Sequence, residues 1–219
     1  MPLKAFAFDA YGTIFDVHSA MARHRDRLGP DADAFSTLWR SKQLEYSWTR
    51  TLMQRYADFW ALTQEALDFS LARYPSIDRG LRQPLLDAYL MLNAYADVPP
   101  VLKAMAAQGK RLAIFTNGTA SMARSAATSA GIVHAFETII SVDVLRQFKT
   151  APEAYALVHE VLGLSLGEVA LVSSNRWDIA GAHAFGMPSV WVNRAGQPDE
   201  YLDLAPTRTL RSLSELLAA

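Results

Sequence analysis

Apolar residues run almost unbroken from Leu3 to Phe8, interrupted only by Lys4, and stop at Asp9. Strict alternation would mark a strand with one wet face, whereas a continuous run marks one covered on both faces, as in a parallel sheet. Further short apolar runs at 111–115, 138–142, 170–173 and 189–192 predict strands of the same kind. Segments with helical spacing lie between them, at 99–107, 121–130, 151–162 and 178–185. Strands alternating with helices in this way predict an α/β fold, a doubly wound parallel sheet.

The stretch from Val17 to Ala94 has a different pattern. Leu38, Leu44, Trp48, Leu52, Tyr56, Phe59 and Trp60 recur at helical intervals, and no convincing strand appears. This predicts a helical cap inserted after the first strand, so that residues 1–15 and 96–219 form the core and 16–95 the cap. The sequence Asp97-Val98-Pro99-Pro100 marks the return to the core, with proline suited to a first helical turn.

Composition narrows the chemistry. The 219 residues, 51% hydrophobic, suffice for a sizeable core, and a formal net charge of −1 gives no reason to invoke nucleic acid or an anionic membrane. There is no cysteine, which excludes disulfides, thiolate catalysis and cysteine metal sites. The N-terminus enters the first strand directly, and no apolar run is long enough to span a bilayer. The expectation is a soluble, cytoplasmic protein.

Polar clusters fall at the carboxyl ends of the predicted strands. Asp9 ends the first, followed by Ala10, Tyr11, Gly12 and Thr13. Thr116, Asn117 and Gly118 end the second, Lys149 follows the third, and Ser173, Ser174, Asn175, Trp177 and Asp178 follow the fourth. Each has an ordinary explanation by itself: a strand end, a turn and helix cap, a surface lysine, a residue in the first turn of a helix. Parallel strands of one sheet, however, deliver all their carboxyl ends to one edge, where open α/β sheets bind ligands. Asp9, Thr116, Lys149, Ser173 and Asp178 should therefore converge. An aspartate so placed can attack a substrate itself and split one hard displacement into two easier steps.

This order of residues resembles the haloacid dehalogenase superfamily. Tyr11 departs from the Asp-x-Asp pattern of its phosphatases and matches the L-2-haloacid dehalogenases instead. That similarity continues through Leu38-Trp39-Arg40, Lys42 to Arg50, Arg55 to Trp60, Phe115 to Gly118 and Val172 to Asp178. The resemblance implies hydrolysis of an (S)-2-haloalkanoate to the (R)-2-hydroxy acid, with Asp9 attacking C2 from behind to leave an ester. It implies that Lys149 keeps Asp9 ionised, while Thr116 and the N–H groups of Ala10, Tyr11 and Asn117 hold the substrate carboxylate. Arg40 with Asn117, Phe59 and Trp177 would cradle the halide. Asp178, with Lys149 and Asn175, would orient and deprotonate the water that cleaves the ester. Ser173 and Tyr155 would buttress Lys149 and that water, with Ser174 beside them, and Thr13 would fix the Asp9 loop. No metal or other cofactor is implied. The partners implied are a small 2-haloacid and a halide ion, with a homodimer formed through cap residues Trp48, Leu52 and Tyr56.

Three positions depart from the family pattern. Thr116 stands where serine is common, Thr150-Ala151 replaces the usual pair after the lysine, and Arg176 replaces a small residue and is expected to point outward. Two other readings compete. A phosphatase of the same superfamily predicts magnesium dependence and an acidic residue at position 11, which is Tyr11. A catalytically silent binding protein would lack one reacting group, yet Asp9, Lys149 and Asp178 are all present.

Overall fold

The computed structural model describes residues 2–217. Strand β1 (Ala5–Asp9) is followed by two very short strands, β2 (Phe15–Asp16) and β3 (Asn93–Ala94), then β4 (Arg111–Thr116), β5 (Thr138–Ser141), β6 (Val169–Ser173), β7 (Ser189–Val192) and β8 (Arg208–Leu210). Six of these form one parallel sheet in the order β5-β4-β1-β6-β7-β8. All five residues of β1 and of β6 are buried, which is why they read as unbroken apolar runs. Chain order reverses direction around β1, which pairs with β4 on one side and β6 on the other. That makes the carboxyl end of β1, at Asp9, the crevice where such sheets take ligands.

Helices α6 (Val98–Ala107), α7 (Ala120–Ser129), α8 (Pro152–Leu162) and α9 (Arg176–Phe185) connect the later strands. Before them come α1 (Ser19–Ala22), α2 (Arg25–Leu28), α3 (Ala32–Leu52), α4 (Phe59–Arg73) and α5 (Arg82–Tyr89), the helical unit. The Asp58 side chain starts α4 by accepting the Ala61 N–H at 2.9 Å, satisfying an amide that the helix leaves unpaired. Among the bonds that join α3 to α4, Trp39 Nε1–H donates to the Thr63 carbonyl at 2.9 Å, Gln43 Nε2–H donates to Thr63 Oγ1 at 3.1 Å, and Arg50 pairs with Glu65 at 3.0 Å nearer the outer end. No helix of the described residues is long and apolar enough to cross a membrane.

The structure adjusts the expectation in three places. The chain crosses between the two parts at an antiparallel pair, β2 with β3, and β3 lies in the stretch predicted to hold no strand. A sixth sheet strand, β8, joins the edge, although its three residues are too few and too mixed to carry a strand pattern. The strand expected over 138–142 stops at Ser141, where a 3-10 turn begins at Val142.

Candidate active site

The turn after β1 is built to bring a hydroxyl back over the carboxylate. The Ala10 carbonyl accepts three successive N–H groups, from Thr13, Ile14 and Phe15, at 3.3, 3.0 and 2.9 Å. Gly12 makes this possible with φ of +91°, a conformation costly for residues with a Cβ. The fully buried Thr13 then donates its hydroxyl to Asp9 Oδ2 at 2.9 Å while its oxygen accepts the Ser174 N–H at 2.8 Å. Asn175 Nδ2–H adds a second donor to Asp9 Oδ2 at 2.7 Å and also reaches the Tyr11 carbonyl at 3.2 Å.

Asp9 Oδ1 faces a cation. Lys149 Nζ lies 3.1 Å from it, 2.9 Å from Asp178 Oδ2 and 2.9 Å from the Phe115 carbonyl, so all three ammonium hydrogens have acceptors. Its side chain is fully buried and touches the face of Phe115, 3.9 Å from the ring centroid. A buried ammonium without partners would be prohibitively costly, and two carboxylates make it tenable. The backbone of the same residue is held too, its N–H donating to Asn117 Oδ1 at 2.9 Å. Burial pushes the Asp178 carboxyl above its usual range, and the charge of Asp9 adds to this; Lys149 and the Tyr155 hydroxyl pull the other way.

The structure therefore brings Asp9, Thr13, Lys149, Asn175 and Asp178 into one hydrogen-bonded group. Ser173 and Tyr155 lie beside it with partners other than those expected. Tyr155 donates to Asp178 Oδ1 at 3.0 Å rather than buttressing Lys149, because it projects from α8 toward the first turn of α9. Ser173 Oγ accepts the Asn175 N–H at 3.1 Å and so shapes the turn into α9 instead of supporting the lysine. Ser174 contributes its backbone N–H, and its hydroxyl is buried without a protein partner. Thr116 Oγ1 accepts the Gly118 N–H at 2.9 Å, closing the turn after β4.

On the helical side, Arg40 is half-buried rather than a plain surface residue of α3. Its Nη2–H reaches the Tyr11 carbonyl at 3.3 Å, while Nη1 is buried with no partner, a free donor over the loop that carries the nucleophile candidate. The Tyr11 ring is stacked between Tyr89, at 5.5 Å, and Phe59, at 6.3 Å. Burial holds the Tyr11 phenol well above its ordinary value, so it stays neutral. Ala10 is fully buried, and Trp177 is half-buried with its ring edge-on to Trp48 at 5.4 Å. A cleft of about 610 Å³ lies beside Trp177, lined by Trp48, Leu52, Pro152, Tyr201 and Leu204 among others, and Asp9 is not in its wall.

Arg176 does not point outward. It is 5% exposed, with Nε–H bonded to Asp199 at 2.6 Å and Nη2–H to the Tyr201 carbonyl at 3.0 Å, because the segment after β7 folds back over α9. Of the suspected dimer residues, Tyr56 is engaged within the chain, bonding Asp143 and stacking on Phe148, whereas Leu52 is 84% exposed. Sequence reasoning missed the Phe115 carbonyl as the third lysine acceptor, since a backbone group leaves no residue-type signal. It also missed Tyr89, whose spacing reads as an ordinary core aromatic. Among the described residues no three His, Asp or Glu side chains gather as a metal site would require.

A family model described as haloacid dehalogenase-like hydrolase matches residues 3–186. The chain is 48% identical over 217 residues to (S)-2-haloacid dehalogenase 1 of Pseudomonas sp. (strain CBS-3), covering 98% of this chain and 95% of that protein. It is 46% identical to (S)-2-haloacid dehalogenase 4A of Burkholderia cepacia, covering 98% and 93%. A solved structure of L-2-haloacid dehalogenase from Xanthobacter autotrophicus with chloropropionic acid covalently bound superimposes with a TM-score of 0.88 at 36% identity, covering 98% and 96%.

Proposed function

Because the chain belongs to the haloacid dehalogenase-like hydrolases, as an (S)-2-haloacid dehalogenase acting on carbon–halide bonds, we propose that it turns (S)-2-haloalkanoates into (R)-2-hydroxyalkanoates through an ester on Asp9. The observation that carries this reading is the state of Asp9, with Oδ2 fixed by Thr13 and Asn175 and Oδ1 by Lys149, beneath an arginine with an unused buried N–H.

In the first step an Asp9 oxygen attacks C2, a C–O bond forms on the face opposite the halogen, and the halide leaves with the bonding pair. Two carboxylates must approach for this, a repulsion on the order of 4 kcal/mol at about 4 Å and surface-like dielectric. Lys149 offsets it at Asp9, while the Thr116 hydroxyl and the N–H groups of Ala10, Tyr11 and Asn117 take the substrate carboxylate. Arg40, Asn117, Phe59 and Trp177 surround the departing halide. In the second step water adds to the Asp9 ester carbonyl, Asp178 takes its proton, and the hydroxy acid departs as the carboxylate re-forms. A carboxyl pushed upward by burial makes a better base than an ordinary one. No metal is needed, because Lys149 already fills the position between Asp9 and Asp178. The working unit is a homodimer joined through the outer end of α3, where Leu52 and Met53 are 84% and 59% exposed.

A single turnover of racemic 2-chloropropionate in ¹⁸O water, with protein in excess, tests the route. The label should enter Asp9 and the hydroxy acid should carry ordinary oxygen. Label in that first product means solvent displaced the halide directly. Loss of halide release in EDTA, or phosphate release from p-nitrophenyl phosphate with magnesium in its place, overturns the metal-free dehalogenase.

A further inference from the structure

The lysine between the two carboxylates ends a loop, residues 142–149, that leaves β5 and enters α8. The helical unit grips this loop along its length. The Phe148 N–H donates to Thr51 Oγ1 at 3.1 Å, and the Thr51 hydroxyl hydrogen is committed to the Ser47 carbonyl at 3.0 Å, so its oxygen serves only as acceptor. One residue on, the Lys149 N–H is held by Asn117 of the core. Two successive amides thus fasten the lysine backbone, one to each half of the molecule. The Phe148 ring is fully buried, stacked on Tyr56 at 5.3 Å and edge-on to Phe59 at 6.0 Å. Farther back, the Tyr56 hydroxyl donates to Asp143, and the Arg146 guanidinium lies 5.4 Å over the same ring.

We propose that Thr51 and Tyr56 are positioning residues for the dehalogenation: the helical unit, seated on the core, places Lys149 between Asp9 and Asp178 by holding Phe148. What Lys149 does there rests on the proposed ester mechanism; how it is held does not. All three ammonium hydrogens are used, so the group has no slack, and a displacement of about 1 Å in such a site can cost on the order of a hundredfold in rate. The same end of α3 and start of α4 that grip the loop also lead to Arg40 and Phe59, which face the candidate halide position. Seating of the helices therefore prepares the halide donor and the charge on the nucleophile together.

Thr51→Val removes the acceptor with little change of shape, Thr51→Ser restores it, and Tyr56→Phe removes the Asp143 bond. Two readouts are compared. Amide hydrogen exchange of the peptide covering 142–149 is followed in the resting protein, and kcat, KM and the pH profile of halide release from 2-chloropropionate are measured. Thr51→Val should exchange faster at that peptide, lose about tenfold in kcat with KM nearly unchanged, and move the acid limb of its rate profile upward as Asp178 loses the cation that holds its carboxyl down. Thr51→Ser should stay near the parent on both readouts, and Tyr56→Phe should follow Thr51→Val in direction. Unchanged exchange in both Thr51→Val and Tyr56→Phe overturns the proposal, as does faster exchange with an unchanged kcat and pH profile. Absence of halide release from the parent protein would instead strike the ester mechanism, and the exchange measurement would still decide what holds the loop.

Discussion

Asp178 sits in a fully buried position, and the residue that makes its charge tolerable from the α8 side is Tyr155. Hydrogen bonds to charged groups contribute roughly 1.5–3 kcal/mol, and here the bond stabilises the ionised form alone. Tyr155→Phe keeps the ring and removes the donor, so the Asp178 carboxyl moves further above its ordinary range. A carboxyl raised on folding takes up a proton in the native state, so stability falls as pH rises from about 4 through the folded-state value. The Phe variant should therefore be less stable than the parent at pH 7 by roughly 1.5–3 kcal/mol, and the gap should shrink toward pH 4. The acid limb of halide release should move to higher pH as well. Urea unfolding at the two pH values and a rate profile check this; an equal loss of stability at both would show that the bond is not specific to the charged form. Position along the chain made Asp9, Lys149 and Asp178 legible as a group, since each ends a strand or follows one. Partners were not legible at this scale. Whether Tyr155 meets the lysine or the aspartate depends on the angle between two helices, and Arg176 is drawn inward by Asp199, 23 residues later and outside any regular element.

At the scale of elements, α8 and α9 must come close for that bond to exist, and Gly181 is where they do. A Cβ at Gly181 would stand 2.8 Å from Tyr155 Cζ and 3.0 Å from Thr150 Cγ2, and would collide with the Tyr155 hydroxyl. Glycine in a helix interior ordinarily costs about 1 kcal/mol relative to alanine, so Gly181→Ala should stabilise on propensity alone. Overpacking of this kind typically costs 1–3 kcal/mol, and because the obstructing atoms belong to a buried ring it should win. The expected outcome is a net loss of stability with a fall in halide release resembling that of Tyr155→Phe. In the Tyr155→Phe background the penalty should be smaller, because one colliding atom is gone, and a double-mutant cycle by urea unfolding measures this coupling. Additive effects would mean the helices simply move apart. Long, strongly patterned elements such as β1, β6 and the helices of the core could be read directly from the sequence. The β2–β3 pair and β8 could not: two or three residues of mixed exposure carry no periodicity, and only pairing in three dimensions makes them strands.

Across the whole molecule, the two chain crossings between the sheet and the helical unit are tied to the C-terminal segment through one ion pair. Arg194 Nη1 lies 2.6 Å from Asp97 Oδ2, and the same oxygen accepts the Ser212 hydroxyl and the Leu213 N–H, each at 2.8 Å. Arg194 also donates to the Thr13 carbonyl at 3.3 Å and lies 4.4 Å over the Tyr95 ring, so it touches both crossings. No pattern in the sequence announces this, because residues 13, 97, 194 and 212 belong to four separate stretches. Burial raises the Asp97 carboxyl, but the bonds from Arg194, Ser212 and Leu213 outweigh it and hold the group below its ordinary value. A depressed carboxyl contributes stability above its unfolded-state pKa and loses it as pH falls through the folded-state value. Asp97→Ala should thus cost roughly 1.5–3 kcal/mol near neutral pH, the worth of hydrogen bonds to a charged group, with the difference constant down to about pH 4 and narrowing below it. If the pair also keeps the two parts unfolding as one, the variant should show separate transitions by tryptophan fluorescence, which Trp39, Trp48 and Trp60 weight toward the helices, and by far-ultraviolet circular dichroism. A pH-independent loss, or coincident transitions at every pH, would confine Asp97 to local packing and leave the joining of the two parts to the aromatic contacts around Phe148.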